Sequence, residues 1–390
     1  MTMLPTPCFI LDGVRLRENL ETAARIRREA DCKILLATKA FALPAVFPLM
    51  RDYLDGTTAS GEYEARLGAE EFGKEVHVYS PAYAAGEVAE LTKLAQHIYF
   101  NSAEQMERFG DIARDAGCKT GLRVNPGYSK AMIGGALYDP CAPGSRFGEV
   151  PSKLDQVDWS KVDIFHVHSL CEALDDGSVG LINHVAEHFA PYLEQVSAVN
   201  FGGGHLIGKH TYDTGALIAA IKAFKARFNV EVILEPGAGL VIDAGELHTS
   251  VLALHQNEIE LAILDASAST HMPDILEAPY RPNILGAGEA GELAHTYTLG
   301  GKTCMTGDVI GTYSFPEPLK IGQRLILEDQ MHYTFVKTTM FNGTPLADIA
   351  LRDETGDIRT IAEFDYSDFR ERLGASQLPA KKKGTLVSLP

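Results

Sequence analysis

The strongest constraint on the fold is an alternation. Short apolar or β-branched runs, each followed by a helical pattern, repeat between residues 33 and 235. The runs predict strands at Lys33–Thr38, Asp55–Ala59, Val76–Ser80, His97–Phe100, Gly121–Asn125, Asp163–Val167, Ala198–Phe201 and Val232–Glu235. Amphipathic segments lie between them: Glu62–Phe72, Gly86–Ala95, Ala103–Ala116, Val179–Leu193 and Gly215–Phe228. In the last, Leu217, Ile218, Ile221 and Phe224 recur on one helical face. Eight such units predict an α/β fold, a (β/α)8 TIM barrel. The longer connection from about Ser129 to Val162, with Pro140, Pro143 and Pro151, is expected to cover one mouth.

After about Gly245 the texture changes. His248–His255, Glu258–Leu264, Asp308–Tyr313, Arg324–Leu327 and His332–Met340 read as strands with little helical period. The run Cys8–Leu11 has no barrel partner and is assigned to the same part. The expected organisation is a barrel over residues 13–245 and a mostly β domain built from 1–12 and 246–390. The chain carries 35 basic and 52 acidic residues, a net charge of −17. That balance argues against a nucleic-acid or anionic-membrane partner and suits a cationic substrate as well as simple solubility. No apolar run approaches the ~18 residues of a membrane span, and the start at Met1–Pro5 has no basic and apolar leader pattern. Cys8, Cys32, Cys118, Cys141, Cys171 and Cys304 form no C-x-x-C pair and no zinc spacing, so a reduced, cytoplasmic protein is expected. Lys381-Lys382-Lys383 reads as a solvated charge cluster.

A (β/α)8 barrel carries its active site at the C-terminal strand ends. Those ends hold Lys39, His166-Val167-His168-Ser169, Gly202-Gly203-Gly204 and Glu235-Pro236-Gly237. Each has more than one reading. Lys39 is either a rim lysine reaching solvent along its stem or a desolvated amine that can form a Schiff base with an aldehyde; its apolar flanks favour the second. The glycine run is a strand-end turn or a phosphate cradle, and its late position in the barrel favours the cradle. His166 and His168 share one strand face, where they can bind a metal or place an imidazole on a flat ring. Glu235 can join an ion pair, ligate a metal or hold a proton on a heterocyclic nitrogen. A metal-dependent barrel hydrolase using His166, His168 and Glu235 is the competing reading of the same residues.

Taken in order, these segments resemble the fold-III, alanine racemase-like pyridoxal-phosphate decarboxylases, over nearly the whole chain. Ala37-Thr38-Lys39-Ala40 is similar to the family's cofactor-lysine motif. His166-Val167-His168-Ser169 is similar to its His-Val-Gly-Ser, and Asn200-Phe201-Gly202-Gly203-Gly204-His205 to its phosphate loop. Glu235-Pro236-Gly237 is similar to the motif contacting the pyridine nitrogen, and Gly301–Asp308 to the segment whose cysteine enters the partner's site. Tyr333, before Phe341-Asn342-Gly343, corresponds to a tyrosine near the phosphate. Ala238 stands where diaminopimelate and ornithine enzymes carry arginine, and Met305 where an acid is common. With His168 and Leu170-Cys171-Glu172, these departures look most like the branch that decarboxylates carboxynorspermidine and carboxyspermidine in bacterial polyamine synthesis.

The resemblance implies pyridoxal 5'-phosphate on Lys39, with His166 against its ring, Glu235 at its nitrogen, and Ser169, Gly203, Gly204 and Tyr333 at its phosphate. It implies a homodimer in which Cys304 of one subunit serves the other as acid. Segment Asp265–Tyr280 lies at the family's specificity element, so His271 and Asp274, together with Glu235 and Cys304, are the expected substrate contacts, Asp274 binding an amine. The alternatives are another basic amino-acid decarboxylase of the diaminopimelate, ornithine or arginine type, a racemase, and a cofactor carrier. A racemase would need a second base that Cys304 does not resemble, and a carrier would resemble the barrel alone.

Overall fold

A computed structural model describes residues 4–131, 138–278 and 280–375. The cluster Lys381–Lys383 lies outside the described residues. Eight parallel strands close into a barrel in the order Ala198–Asn200, Glu231–Leu234, Lys33–Ala37, Gly56–Ala59, Glu75–Tyr79, His97–Phe100, Lys119–Arg123 and Ile164–His166. Ile34, Leu35, Leu36, Ile98, Phe100, Ile164 and Phe165 are fully buried, because a barrel strand is covered by side chains inside and helices outside. The helix Gly13–Ala30 starts where Asp12 Oδ1 accepts the Arg15 amide at 3.0 Å, and stops at Asp31, whose φ is 48°. The helix Thr214–Phe228 follows the same logic, capped by Asp213 and burying Leu217, Ile218, Ile221 and Phe224. The expected single helix Val179–Leu193 is two, Asp175–His188 and Ala190–Leu193, with Pro191 at the start of the second.

The second body is a sheet ordered Val309–Phe315, His295–Gly300, Ile259–Leu264, Gly245–Asn257, Cys8–Asp12, Asp348–Arg352 and Ile358–Ala362, with Arg324–Glu328 also paired to Gly245–Asn257. Cys8–Asp12 runs antiparallel to Gly245–Asn257 and parallel to Asp348–Arg352. His332–Met340 is not a strand. It turns through Tyr333, whose φ is 47°, into a short 3-10 turn Phe335–Lys337. The Tyr333 amide donates to the Ala40 carbonyl at 2.7 Å, so this stretch is drawn onto the barrel mouth instead of into the sheet. No described helix is long and apolar enough to cross a membrane.

Candidate active site

The barrel register sets the floor of the site. Arg123, His166 and Asn200 lie in one rung across three neighbouring strands. Asn200 Nδ2 donates to Glu235 Oε1 at 2.7 Å, and the Glu235 amide donates to the Gly202 carbonyl at 2.7 Å. Glu235 Oε2 stands 4.0 Å from His166 Nε2. His166 is fully buried, between Tyr99, whose ring centroid is 4.7 Å away, and Tyr79, which meets it edge-on. Arg123 Nη2 donates to the His168 carbonyl at 2.8 Å, and its guanidinium lies over Tyr79 and Phe147.

Above this floor is a cavity of about 730 Å³ lined by Lys39, Arg123, His168, Gly203, Gly204, Glu235 and Tyr333, with residues 138–147 of the long connection along one side. Lys39 is exposed and lines the cavity. Burial first, and the Arg123 guanidinium second, hold its pKa below the usual lysine value, against the pull of Glu235. Burial likewise depresses His166 and His168, so both imidazoles are neutral. Gly204 has φ +87°, and a Cβ there would stand 2.2 Å from the Leu170 carbonyl oxygen, so only glycine fits this turn.

A second cavity, about 340 Å³, adjoins the first; Tyr138, Cys171, Glu172 and Tyr333 line both. Its walls carry four carboxylates, Glu172, Asp274, Glu328 and Asp329, and two cations, Arg281 and Lys337, which are paired with Glu289 and Glu277. Asp274 is buried and accepts from Thr334 Oγ1 at 2.8 Å and from the Tyr280 hydroxyl at 3.0 Å. Burial raises the Glu172 carboxyl above the usual carboxylate range, with His332 opposing.

The fold does not bring every expected residue here. His271 is fully buried elsewhere: its Nδ1 accepts the Ser267 amide at 3.0 Å and its Nε2 donates to the Pro345 carbonyl at 3.0 Å. With both nitrogens taken, it braces the Asp265–Tyr280 segment and has no donor or acceptor left for a substrate. Cys304 is exposed and lines neither cavity of its own chain. Ser169 is fully buried and is not among the residues lining the cavity. Arg123 and Tyr79 were not foreseen, although both end barrel strands, the rule that found Lys39 and Glu235.

A family model described as "pyridoxal-dependent decarboxylase, C-terminal sheet domain" matches residues 9–330. This chain belongs to that family. The carboxyaminopropylagmatine decarboxylase of Synechocystis sp. is 41% identical to this pyridoxal-dependent decarboxylase, over 96% of this chain and 97% of that one. The carboxynorspermidine/carboxyspermidine decarboxylase of Campylobacter jejuni is 38% identical over 95% and 98%. The crystal structure of the Campylobacter jejuni carboxynorspermidine decarboxylase complexed with norspermidine superposes with TM-score 0.87 at 36% identity, covering 95% of this chain and all of that one.

The protein is a decarboxylase whose cofactor is pyridoxal phosphate, and its mouth fits that group. Lys39 supplies an amine of lowered pKa. Both His166 ring nitrogens lack a hydrogen-bond partner, as suits an imidazole that works through its face. The buried Ser169 hydroxyl also lacks a partner and retains its bonding capacity for a phosphate oxygen. His166, His168 and Glu235 do bring three donor atoms within 4.8 Å of one another. Membership of a pyridoxal-dependent decarboxylase family sets the metal-hydrolase reading aside.

Proposed function

We propose that this enzyme removes the α-carboxylate of carboxynorspermidine or carboxyspermidine, yielding norspermidine or spermidine, as a cytoplasmic homodimer in polyamine biosynthesis. The observation that carries the substrate class is the second cavity. A chamber whose four carboxylates, Glu172, Asp274, Glu328 and Asp329, outnumber Arg281 and Lys337, themselves paired with Glu289 and Glu277, joins the first cavity and suits a chain with cationic amines beyond its amino-acid end.

Bound pyridoxal phosphate supplies a carbonyl for covalent attachment and a ring that takes up the electron pair left when CO2 departs. Lys39 would hold that carbonyl end, its lowered pKa keeping the amine neutral at less cost. Glu235 would hold a proton on the ring nitrogen, keeping the electron sink cationic. His166 would fix the ring plane, while Ser169, Gly203, Gly204 and Tyr333 would hold the phosphate. Asp274 would bind a substrate amine. Cys304 of the partner subunit would deliver a proton from Sγ to the carbon that lost CO2. Its loop is stiff enough for this: Asp308 accepts from Ser267 Oγ at 2.8 Å and from Thr303 Oγ1 at 2.5 Å, and the Cys304 amide donates to Asn342 at 2.7 Å. Exposed Leu252 and Leu254 on one strand and Ile259 on the next give the dimer an apolar surface to cover.

A second substrate is favoured by the 41% identical relative, which is named for carboxyaminopropylagmatine. Its distal guanidinium would meet the same acidic walls. The deciding experiment takes the purified holoenzyme, records a visible band that borohydride bleaches, and compares CO2 release from carboxynorspermidine, carboxyspermidine, carboxyaminopropylagmatine and diaminopimelate. The proposal expects kcat/KM to be highest for the first two. Preference for the guanidino compound moves the assignment to the second reading, and preference for diaminopimelate overturns both.

A further inference from the structure

The inside of the barrel below the site is polar along one line. Tyr99 is fully buried, and its hydroxyl accepts from Asn200 Nδ2 at 3.0 Å and lies 3.0 Å from His77 Nδ1. His77 is fully buried too, and its Nε2 is 3.3 Å from Glu75 Oε2. Lys33 Nζ then holds both Glu75 oxygens, at 2.8 and 3.1 Å. Asn200 Oδ1 accepts the Gly202 amide at 2.8 Å, so both its amide hydrogens are free to go to Tyr99 and Glu235. One proton arrangement gives every donor an acceptor. Asn200 donates to Glu235 and to the Tyr99 oxygen, Tyr99 donates to His77 Nδ1, and His77 Nε2–H donates to Glu75.

We propose that His77, Tyr99 and Asn200 form a positioning chain that fixes the Glu235 carboxylate toward the cofactor's ring nitrogen and anchors it to the Glu75–Lys33 pair at the opposite end of the barrel. It rests on Glu235 having the role given above. The chain takes one Glu235 oxygen and leaves Oε2, 4.0 Å from His166 Nε2, without a hydrogen bond from it; Lys39, Tyr79, Arg123 and His168 are the other ionisable neighbours. The barrel is built around it: a Cβ on Gly121 would fall 2.2 Å from the Tyr99 ring, so glycine there makes room for this tyrosine. Glu75, His77 and His97 also bring three donor atoms within 4.8 Å of one another. However, Lys33 occupies the carboxylate, and the two imidazoles stack at 3.9 Å, so their in-plane lone pairs run side by side. That geometry serves hydrogen bonding.

The test uses the holoenzyme without substrate and follows the pH titration of the bound cofactor's absorbance. Tyr99→Phe keeps the ring and removes one hydroxyl. With Glu235 free to turn, the ring nitrogen should lose its proton about one pH unit lower and cofactor affinity should fall about tenfold. The substrate's KM should stay within about twofold while kcat falls. Glu75→Gln, remote from the cavity, should move the same titration in the same direction by less. If Tyr99→Phe does not fold, Glu75→Gln decides. Glu235→Gln is the reference: a titration it leaves unmoved overturns the role of Glu235 and this chain with it. A titration that Glu235→Gln moves but Tyr99→Phe and Glu75→Gln do not overturns the positioning chain alone.

Discussion

Single atoms decide much of the site. At Gly204, with its φ of +87°, a methyl group would stand inside contact distance of the Leu170 carbonyl. Gly204→Ala must therefore shift the loop, and pyridoxal-phosphate affinity, titrated by fluorescence on the cofactor-free protein, should fall about tenfold or more. Lys39→Ala should abolish both the visible band and activity; a variant that keeps both removes Lys39 from the reaction. Asp274→Asn replaces a buried carboxylate that accepts two hydroxyl hydrogen bonds. Losing its charge should raise the polyamine KM by about 10- to 100-fold with a smaller change in kcat. Lys39 and Glu235 were legible in the sequence because a barrel's strand ends face one mouth. The place of His271 was not legible, because Pro345, 74 residues away in the chain, takes its Nε2.

Among the elements, the 301–308 loop is organised by one buried carboxylate. Asp308 is 4% exposed and accepts from Ser267, Ser269 and Thr303. Asp308→Ala leaves those donors unpaired, which should cost about 1–3 kcal/mol for each buried one, read as a lower melting temperature. If the loop carries the acid, kcat should drop while cofactor affinity holds, since no residue of the loop lines the cavity of its own chain. Barrel strands were legible from periodicity, their ends shifting by a residue or two, whereas helix ends moved by up to four, Asp175 for Val179 and Leu91 for Ala95. The stretch His332–Met340 was not legible. Its alternation suggests a strand, and only the Ala40 carbonyl, far off in sequence, turns it at Tyr333.

The whole molecule carries a pH signature. Burial holds His97 down to about 2 and His205 to about 4, and depresses His166 and His168. The unfolded chain binds protons at these positions below about pH 6.5 while the native barrel refuses them, so stability should fall as pH drops through that value. Glu75 is lowered to about 2, chiefly by its hydrogen bond from His77. Its contribution is present above the ordinary carboxylate range and is lost as pH falls toward 2. Urea melts at about pH 7, 6 and 5, spanning the histidine range, should show a declining midpoint; a flat profile would mean the histidines are not shut off from protons. Shared sites make a separate claim. Mixing Lys39→Ala with Cys304→Ala should restore part of the activity through hybrid dimers with one intact site. No recovery despite demonstrated subunit exchange argues against Cys304 acting across the interface.

By itself the sequence determined the barrel, the β part and which residues stand at the barrel's strand ends. Hydrophobic period and strand-end chemistry are local properties, written into consecutive residues. The tertiary structure alone decided that Arg123 packs beneath the site, that His271 is sealed away, that an acidic chamber joins the first, and that Tyr99 links Glu75 to Glu235. Each depends on which strands become neighbours, and contacts between residues far apart in the chain leave no period to read.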